Sequence, residues 1–266
     1  MNDKYLIWET YPGDGPVIAT AIHDGHKLRP EVSKIMNLSE KDRLREEDPF
    51  TGEWTSIANM RIIGLRSRFE VDLNRPREKA VYLNPEDAWG LHVWKSQPST
   101  EIVSRSLDQY DAFYNAVRQI FTKMIKKYEH LVVFDLHSYN HRREGLQGAP
   151  ADPETNPEVN IGTGTMDREF WTPVVNRFIN DLRSYKYFSR QLDVRENVKF
   201  KGGNFSGWIH KTFPRSVCSL AIEFKKFFMD EWTGEPDRQQ LEEIRLALNS
   251  TIPGVLEVLR ELKGDK

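Results

Sequence analysis

Apolar residues recur at 102, 103, 107, 110, 113, 114, 117, 120, 121, 124 and 125. This three-to-four spacing predicts one long amphipathic helix from Ser99 to about Glu129, capped by Ser99 or Thr100. Four short apolar runs predict buried strands at about 16–22, 59–65, 131–136 and 217–224. A second helical pattern starts near Asp167 and covers Phe170, Val174, Val175, Phe178, Ile179 and Leu182; a third covers Leu241 to Leu262 with an interruption at Pro253-Gly254. Strands alternating with helices predict an α/β fold of three layers, a mainly parallel or mixed sheet with helices on both faces. The Gly, Pro and Asn clusters at 145–164 and 201–207 read as long loops within it.

Composition narrows the class. The 266 residues, 38% hydrophobic and 29% charged, suit one large domain over 1–266. A net charge of -2 gives no general electrostatic reason to expect nucleic acid or an anionic membrane as partner. Neither a signal peptide nor a membrane span is apparent, so the expectation is a cytoplasmic protein. Cys218, the single cysteine, lies in an apolar run and reads as a small core residue.

Candidate chemistry gathers where the predicted strands end. Ala21-Ile-His-Asp-Gly-His26 follows the first apolar run, and Phe134-Asp-Leu-His-Ser138 closes the third. The C-terminal edge of an open α/β sheet is where such folds bind ligands, so His23, His26 and His137 form a candidate set for one metal ion. The same His-Asp-Gly-His also reads as a polar loop. Asp135, two residues before His137 on a strand, is placed to orient it or a neighbour. In Ser67-Arg-Phe-Glu-Val-Asp-Leu-Asn-Arg-Pro76, Arg66, Arg68 and Arg75 offer planar forks for a carboxylate or an oxyanion; an exposed strand ending in a turn is the plainer reading. Glu223, at the end of the apolar Ser219-Leu-Ala-Ile-Glu-Phe224, fits a general base or a glutamate emerging at a sheet edge. Gly202 and Gly203 permit close approach of backbone amides to a ligand. Arg142, Arg143, Arg190, Arg195, His210 and Lys211 are further candidates for an acidic substrate, unranked by spacing; His92 and His130 read as structural.

The ordered set His-Asp-Gly-His, Ser-Arg-Phe-Glu-Val-Asp-Leu-Asn-Arg-Pro, Asp-Leu-His-Ser, Lys-Gly-Gly-Asn-Phe and Ala-Ile-Glu-Phe resembles the N-formylglutamate amidohydrolase family from about residue 16 to 232. That family is similar to the zinc carboxypeptidases and aspartoacylases, which implies a phosphorylase/hydrolase-like fold. It also implies a Zn2+ cofactor and a small-molecule N-acyl amino acid substrate. The resemblance makes His23 the first zinc ligand and His137 the last. His26 stands where the related families have the glutamate of H-x-x-E; its spacing from His23 ranks it first as second ligand, with Glu46, Glu47 or Asp48 as carboxylate substitutes. It makes Asn74 and Arg75 the holders of the substrate carboxylate, Arg68 the arginine at the scissile carbonyl with Arg66 open, and Glu223 the residue that activates water and protonates the amine. A metallocarboxypeptidase or cell-wall amidase is the rival enzyme reading. A binding module without catalysis is the rival of another class.

Overall fold

The computed structural model describes residues 6–264. Seven strands, β1 (Trp8–Tyr11), β2 (Val17–Ala21), β3 (Met60–Gly64), β4 (Leu131–Tyr139), β5 (Val159–Gly162), β6 (Val194–Glu196) and β7 (Val217–Lys225), form one sheet in the order β1-β3-β2-β4-β7-β5-β6. The central four, β3-β2-β4-β7, run parallel; β1 is antiparallel to β3, and β5 is antiparallel to β7 but parallel to β6. The sheet is therefore mixed. Seven helices accompany it: α1 (Pro30–Ile35), α2 (Glu40–Glu46), α3 (Thr51–Trp54), α4 (Thr100–Tyr128), α5 (Thr172–Ser184), α6 (Asn204–Thr212) and α7 (Arg238–Gly264).

Side-chain alternation along the central strands builds the layers. Val132, Phe134 and Leu136 of β4 pack with Trp54 of α3 and the apolar stripes of α5 and α7 on one face. Leu131 and Val133 pack with Tyr110, Phe113, Val117 and Phe121 of α4 and Phe205 and Ile209 of α6 on the other. Fully burying each such large side chain contributes roughly 1.5–3 kcal/mol, so α4 is held by packing more than by propensity. Ser99 caps it as expected, its hydroxyl accepting from the Ile102 amide.

Three features depart from the sequence pattern. The helix expected to break at Pro253-Gly254 runs unbroken through both residues as α7. Proline removes one backbone donor, but Gly254 lets α7 close onto the Arg177–Asp181 pair of α5, where a Cβ would stand 2.0 Å from Asp181 Oδ2. Burial of Val255, Val258 and Leu259 then outweighs the lost hydrogen bond. The glycine-rich 201–207 segment is loop only to Gly203, after which α6 begins, and the 145–164 segment contains β5. The short edge strands β1 and β6, of four and three residues, carry too little alternation to mark a strand in the sequence. No described helix is long and apolar enough to cross a membrane.

Candidate active site

The parallel strands deliver their C-terminal ends to one cavity of about 670 Å³. Odd-numbered positions of β4 and β7 share the α4/α6 face, so Asp135, His137 and Glu223 follow Leu131 and Val133 onto it. His137 and Glu223 are register partners on adjacent strands. His23 arrives just beyond β2, and the Ser67–Pro76 segment just beyond β3. His23, His137, Glu223, Arg68, Asn74, Arg75, Gly202 and Gly203 all line the cavity.

At its floor, ligand atoms of His23, Asp48 and His137 lie within 4.8 Å of one another. Asp48 Oδ2 is 2.9 Å from His137 Nδ1 and 3.4 Å from His23 Nδ1. Ligand atoms of a tetrahedral zinc at about 2.0–2.2 Å stand roughly 3.4 Å apart, so this spacing fits one ion. Each imidazole presents its other nitrogen to a carboxylate: His23 Nε2 is 2.7 Å from Asp72 Oδ1, and His137 Nε2 is 3.2 Å from Asp135 Oδ1. Such carboxylate–histidine pairs set ring orientation and basicity in metal sites. Asp135 thus sits where its i, i+2 spacing placed it, and Thr20 Oγ1 and Ser206 Oγ donate to it in turn.

His26 does not join this cluster. Its Nδ1 pairs with Glu47 Oε2, and Arg43 Nη1 donates to its carbonyl oxygen. The three-residue spacing fails because the chain after His23 is not helical: Gly25 lies against the Leu65–Arg66 backbone, where a Cβ would meet the Leu65 carbonyl carbon at 2.3 Å, and Lys27 bridges to Arg66. Of the three acidic substitutes, Asp48 takes the position at the cluster, Glu46 lines the cavity and Glu47 is buried behind it. Glu47 also accepts from Ser67 Oγ, and the Asp48 amide donates to the His23 carbonyl at 3.0 Å. Lys226, buried at the end of β7, donates Nζ to the carbonyl oxygens of Arg45 and Glu47. Burial lowers its pKa to about 8. The segment carrying Asp48 is therefore clamped on both sides. Lys226 follows an apolar strand, and nothing in the pattern marked it.

Arg66 is also absent from the cavity lining; its backbone pairs with Lys27 and its charge acts on Glu70. Arg68 faces the cavity while Nη2 donates to Asp72 Oδ2 at 2.8 Å and Nη1 to the Glu46 carbonyl at 3.4 Å. Asp72 is the hub of this wall: His23, Arg68, the Tyr82 hydroxyl and the Asn74 amide all meet its carboxylate. Burial opposes its ionisation, but Arg68 and His23 overcome that and hold it well below the usual range. Asn74 Oδ1 accepts from the Phe205 amide in the first turn of α6, close against Gly203, where a Cβ would stand 2.2 Å away. Only glycine fits there. Arg75 is half-exposed, with Nε 4.0 Å from Asp72.

Glu223 opens onto the cavity, and among the described residues no side chain hydrogen-bonds or ion-pairs with it. Burial pushes its pKa up to about 7, with His137 opposing. Asp48, Asp72, Asp135 and Glu223 thus converge on two imidazoles and Arg68, a donor set with more negative than fixed positive charge. A divalent cation suits it. Of the remaining cations, Arg143 lines the cavity, whereas Arg190 pairs with Glu158 and Arg195 with Asp193 on the surface. His210 of α6 is buried against β7, where the Ser219 amide donates to its Nε2, and His130 packs against Trp171 with Nδ1 on the Arg215 carbonyl.

The family model described as N-formylglutamate amidohydrolase matches residues 15–229. No curated protein sequence matches the chain. Among solved structures it is similar to the N-formylglutamate amidohydrolase of Ralstonia eutropha JMP134, with a TM-score of 0.74 at 14% identity over 98% of this chain and 100% of that one. It is also similar to a gene product of Agrobacterium tumefaciens, with a TM-score of 0.68 at 16% identity over 98% of each chain. Identities this low carry the fold alone. The family match spans every segment that lines the cavity, from His23 to Lys226, and the chain belongs to the N-formylglutamate amidohydrolase family.

Proposed function

We propose that this amidohydrolase is zinc-dependent and cleaves the amide of an N-formyl amino acid, N-formylglutamate in the first instance. The observation that carries the reading is the convergence of His23, Asp48 and His137 at the floor of a cavity that also holds Glu223 and Arg68. The two imidazoles and the carboxylate are ligand types that zinc favours. When bound there, zinc supplies Lewis acidity toward the scissile carbonyl and toward water.

The protein's own residues do the rest. The Glu223 carboxylate takes a proton from the attacking water as its oxygen bonds to the carbonyl carbon. When the C–N bond breaks, its electron pair stays on nitrogen, and Glu223 returns the proton there, leaving formate and the free amino acid. Arg68 faces the carbonyl oxygen as negative charge develops on it; its anchoring by Asp72 keeps the guanidinium in place before substrate arrives. Asn74 and Arg75 hold the α-carboxylate, Asn74 fixed by its bond to α6.

Metal analysis of the purified protein, combined with hydrolysis assays on N-formyl-glutamate, N-acetyl-aspartate and short peptides, tests the reading. Near-stoichiometric zinc with preference for the formyl substrate supports it. A metal-free protein that hydrolyses N-formyl-glutamate removes the zinc, and preference for peptides selects the carboxypeptidase alternative.

A further inference from the structure

The cavity is also lined by residues that the mechanism leaves unused, among them Trp89, Asn140 and Lys199. Trp89 follows the single 3-10 turn Pro85–Ala88 with φ 56° and ψ 29°, the left-handed region that bulky side chains avoid. The turn beneath it is well fixed. The Asp87 carboxylate accepts from the Asn84 amide at 3.0 Å, the Gly90 amide donates to the Pro85 carbonyl at 2.7 Å, and Ala88 is fully buried. Arg75 Nη2 also reaches the Asp87 carbonyl, at 3.4 Å, which ties the turn to the Ser67–Pro76 wall.

Folding by itself gives no reason for tryptophan at this position. The side chain stays 48% exposed and so buries little of its apolar surface, whereas glycine or asparagine occupies a left-handed backbone at lower cost. Sparsely populated backbone conformations held by bulky residues cluster at functional sites. The contacts of the indole supply a reason. Arg68 Cζ stands over its face, 5.0 Å from the ring centroid, and the Tyr82 ring meets it edge-to-face with centroids 6.1 Å apart.

Arg68 gains from that cover. Of its five N–H donors, Nε and one on Nη2 go to Asp72 Oδ2 and one on Nη1 to the Glu46 carbonyl, which leaves two. Hydrogen bonds grip a guanidinium by its edges, whereas an aromatic ring covers a face. The Arg68 side chain is only 14% exposed, so water competes little with the ring. A cation–π contact in such surroundings is worth a factor of about ten in an equilibrium.

We propose that Trp89 is a positioning residue: stacked on the Arg68 guanidinium, it keeps the two free donors aimed into the cavity, and the strained backbone at 89 is retained for turnover rather than for folding. This rests on the amidohydrolase reading above, in which Arg68 faces the scissile carbonyl.

Two substitutions separate the roles. Trp89→Asn removes the ring and suits the left-handed backbone, and Trp89→Phe keeps a π face. kcat for N-formyl-glutamate falls about tenfold in Trp89→Asn with KM within about twofold, and Trp89→Phe recovers most of the loss. The urea-unfolding midpoint of Trp89→Asn stays at or above that of the wild type, the trade-off expected where strain serves activity. In an Arg68→Met background the same change costs no more than about twofold, because it acts through the arginine. An unchanged kcat, a midpoint that falls in step with kcat, or an undiminished loss with Arg68 already removed overturns the proposal. Side-chain NMR adds a readout apart from turnover: the Arg68 Nε–H resonance, identified by its loss in Arg68→Lys, lies upfield under the indole ring current and moves downfield in Trp89→Asn. An unmoved resonance overturns the contact. A wild type that hydrolyses no N-formyl-glutamate overturns the reading beneath, and the resonance still decides whether Trp89 holds Arg68.

Discussion

His137 Nδ1 lies 2.9 Å from Asp48 Oδ2, although the two residues are 89 apart in sequence and sit on opposite sides of the long helix α4 in chain order. Burial opposes the charge on Asp48, but His137 and His23 hold its carboxyl far below the usual range. The pair ties the two histidines into one cluster, and Asp48 rather than His26 completes it.

Alanine in place of His23, Asp48 or His137 removes most bound zinc, while His26→Ala retains it with some loss of stability through the freed Glu47. Losing one of three protein ligands is a far larger change than losing a partner of the neighbouring segment. Metal content by emission spectrometry, on folded protein checked by circular dichroism, decides this. Zinc lost in His26→Ala and kept in Asp48→Ala would reverse the assignment.

Glu223→Gln keeps its shape and its place on β7 but cannot accept a proton. kcat for N-formyl-glutamate drops by about a hundredfold or more, in the range expected for removing a general base, with zinc content unchanged. Wild-type turnover in this variant rules out the role.

Lys226→Met takes the ammonium donor from the buried carbonyl of Glu47 and the half-buried one of Arg45. Stability falls by about 2–4 kcal/mol, since bonds to charged groups contribute roughly 1.5–3 kcal/mol each and share one ammonium here. Urea unfolding measures it, and a change below about 0.5 kcal/mol, the size of an ordinary surface substitution, refutes the clamp.

Gly203→Ala pushes a methyl into Asn74. Asn74 accepts from the first turn of α6 and, in the proposed mechanism, orients the substrate carboxylate, so the variant raises KM for N-formyl-glutamate on the order of tenfold and lowers stability by about 1–3 kcal/mol. Steady-state kinetics together with thermal unfolding reads both, and an unaffected KM means that Asn74 lies outside the substrate site.

The pH dependence of stability carries the signature of His210. Its Nε2 accepts from the Ser219 amide at 2.9 Å, so Nδ1 bears the proton and donates to Thr165 Oγ1. Burial pushes its pKa down to about 4, with Asp135 opposing. The unfolded value is near 6.5, so the unfolded chain takes up its proton first as pH falls. This contribution is complete above about pH 6.5 and is lost as pH falls toward 4, amounting to about 1–2 kcal/mol between pH 7 and pH 5. His210→Gln narrows the difference in urea-unfolding free energy between those two pH values by that amount. An undiminished difference shows that other groups carry it.

By itself the residue order specifies a good deal. Apolar runs are long enough in β2, β4 and β7 to mark strands, and α4 repeats its stripe often enough to mark a helix. Period-two alternation then places Asp135, His137 and Glu223 on one face of the sheet. The family motifs add Asn74, Arg75 and Arg68, all of which reach the cavity. His26 and Arg66 do not: the three-residue spacing of His26 from His23 brings two rings together on a helix or tight turn, whereas the chain there lies against the extension of β3, and Arg66 pairs its backbone with Lys27 in that same extension. Asp48 stands in the sequence as one of three acidic alternatives, and which of them meets the histidines, like the placement of Lys226 and Lys199, is visible only in the folded chain. Periodicity reports which way a side chain points within its own element, whereas these three depend on loops separated by tens of residues meeting at one sheet edge, a property of packing that no local pattern contains.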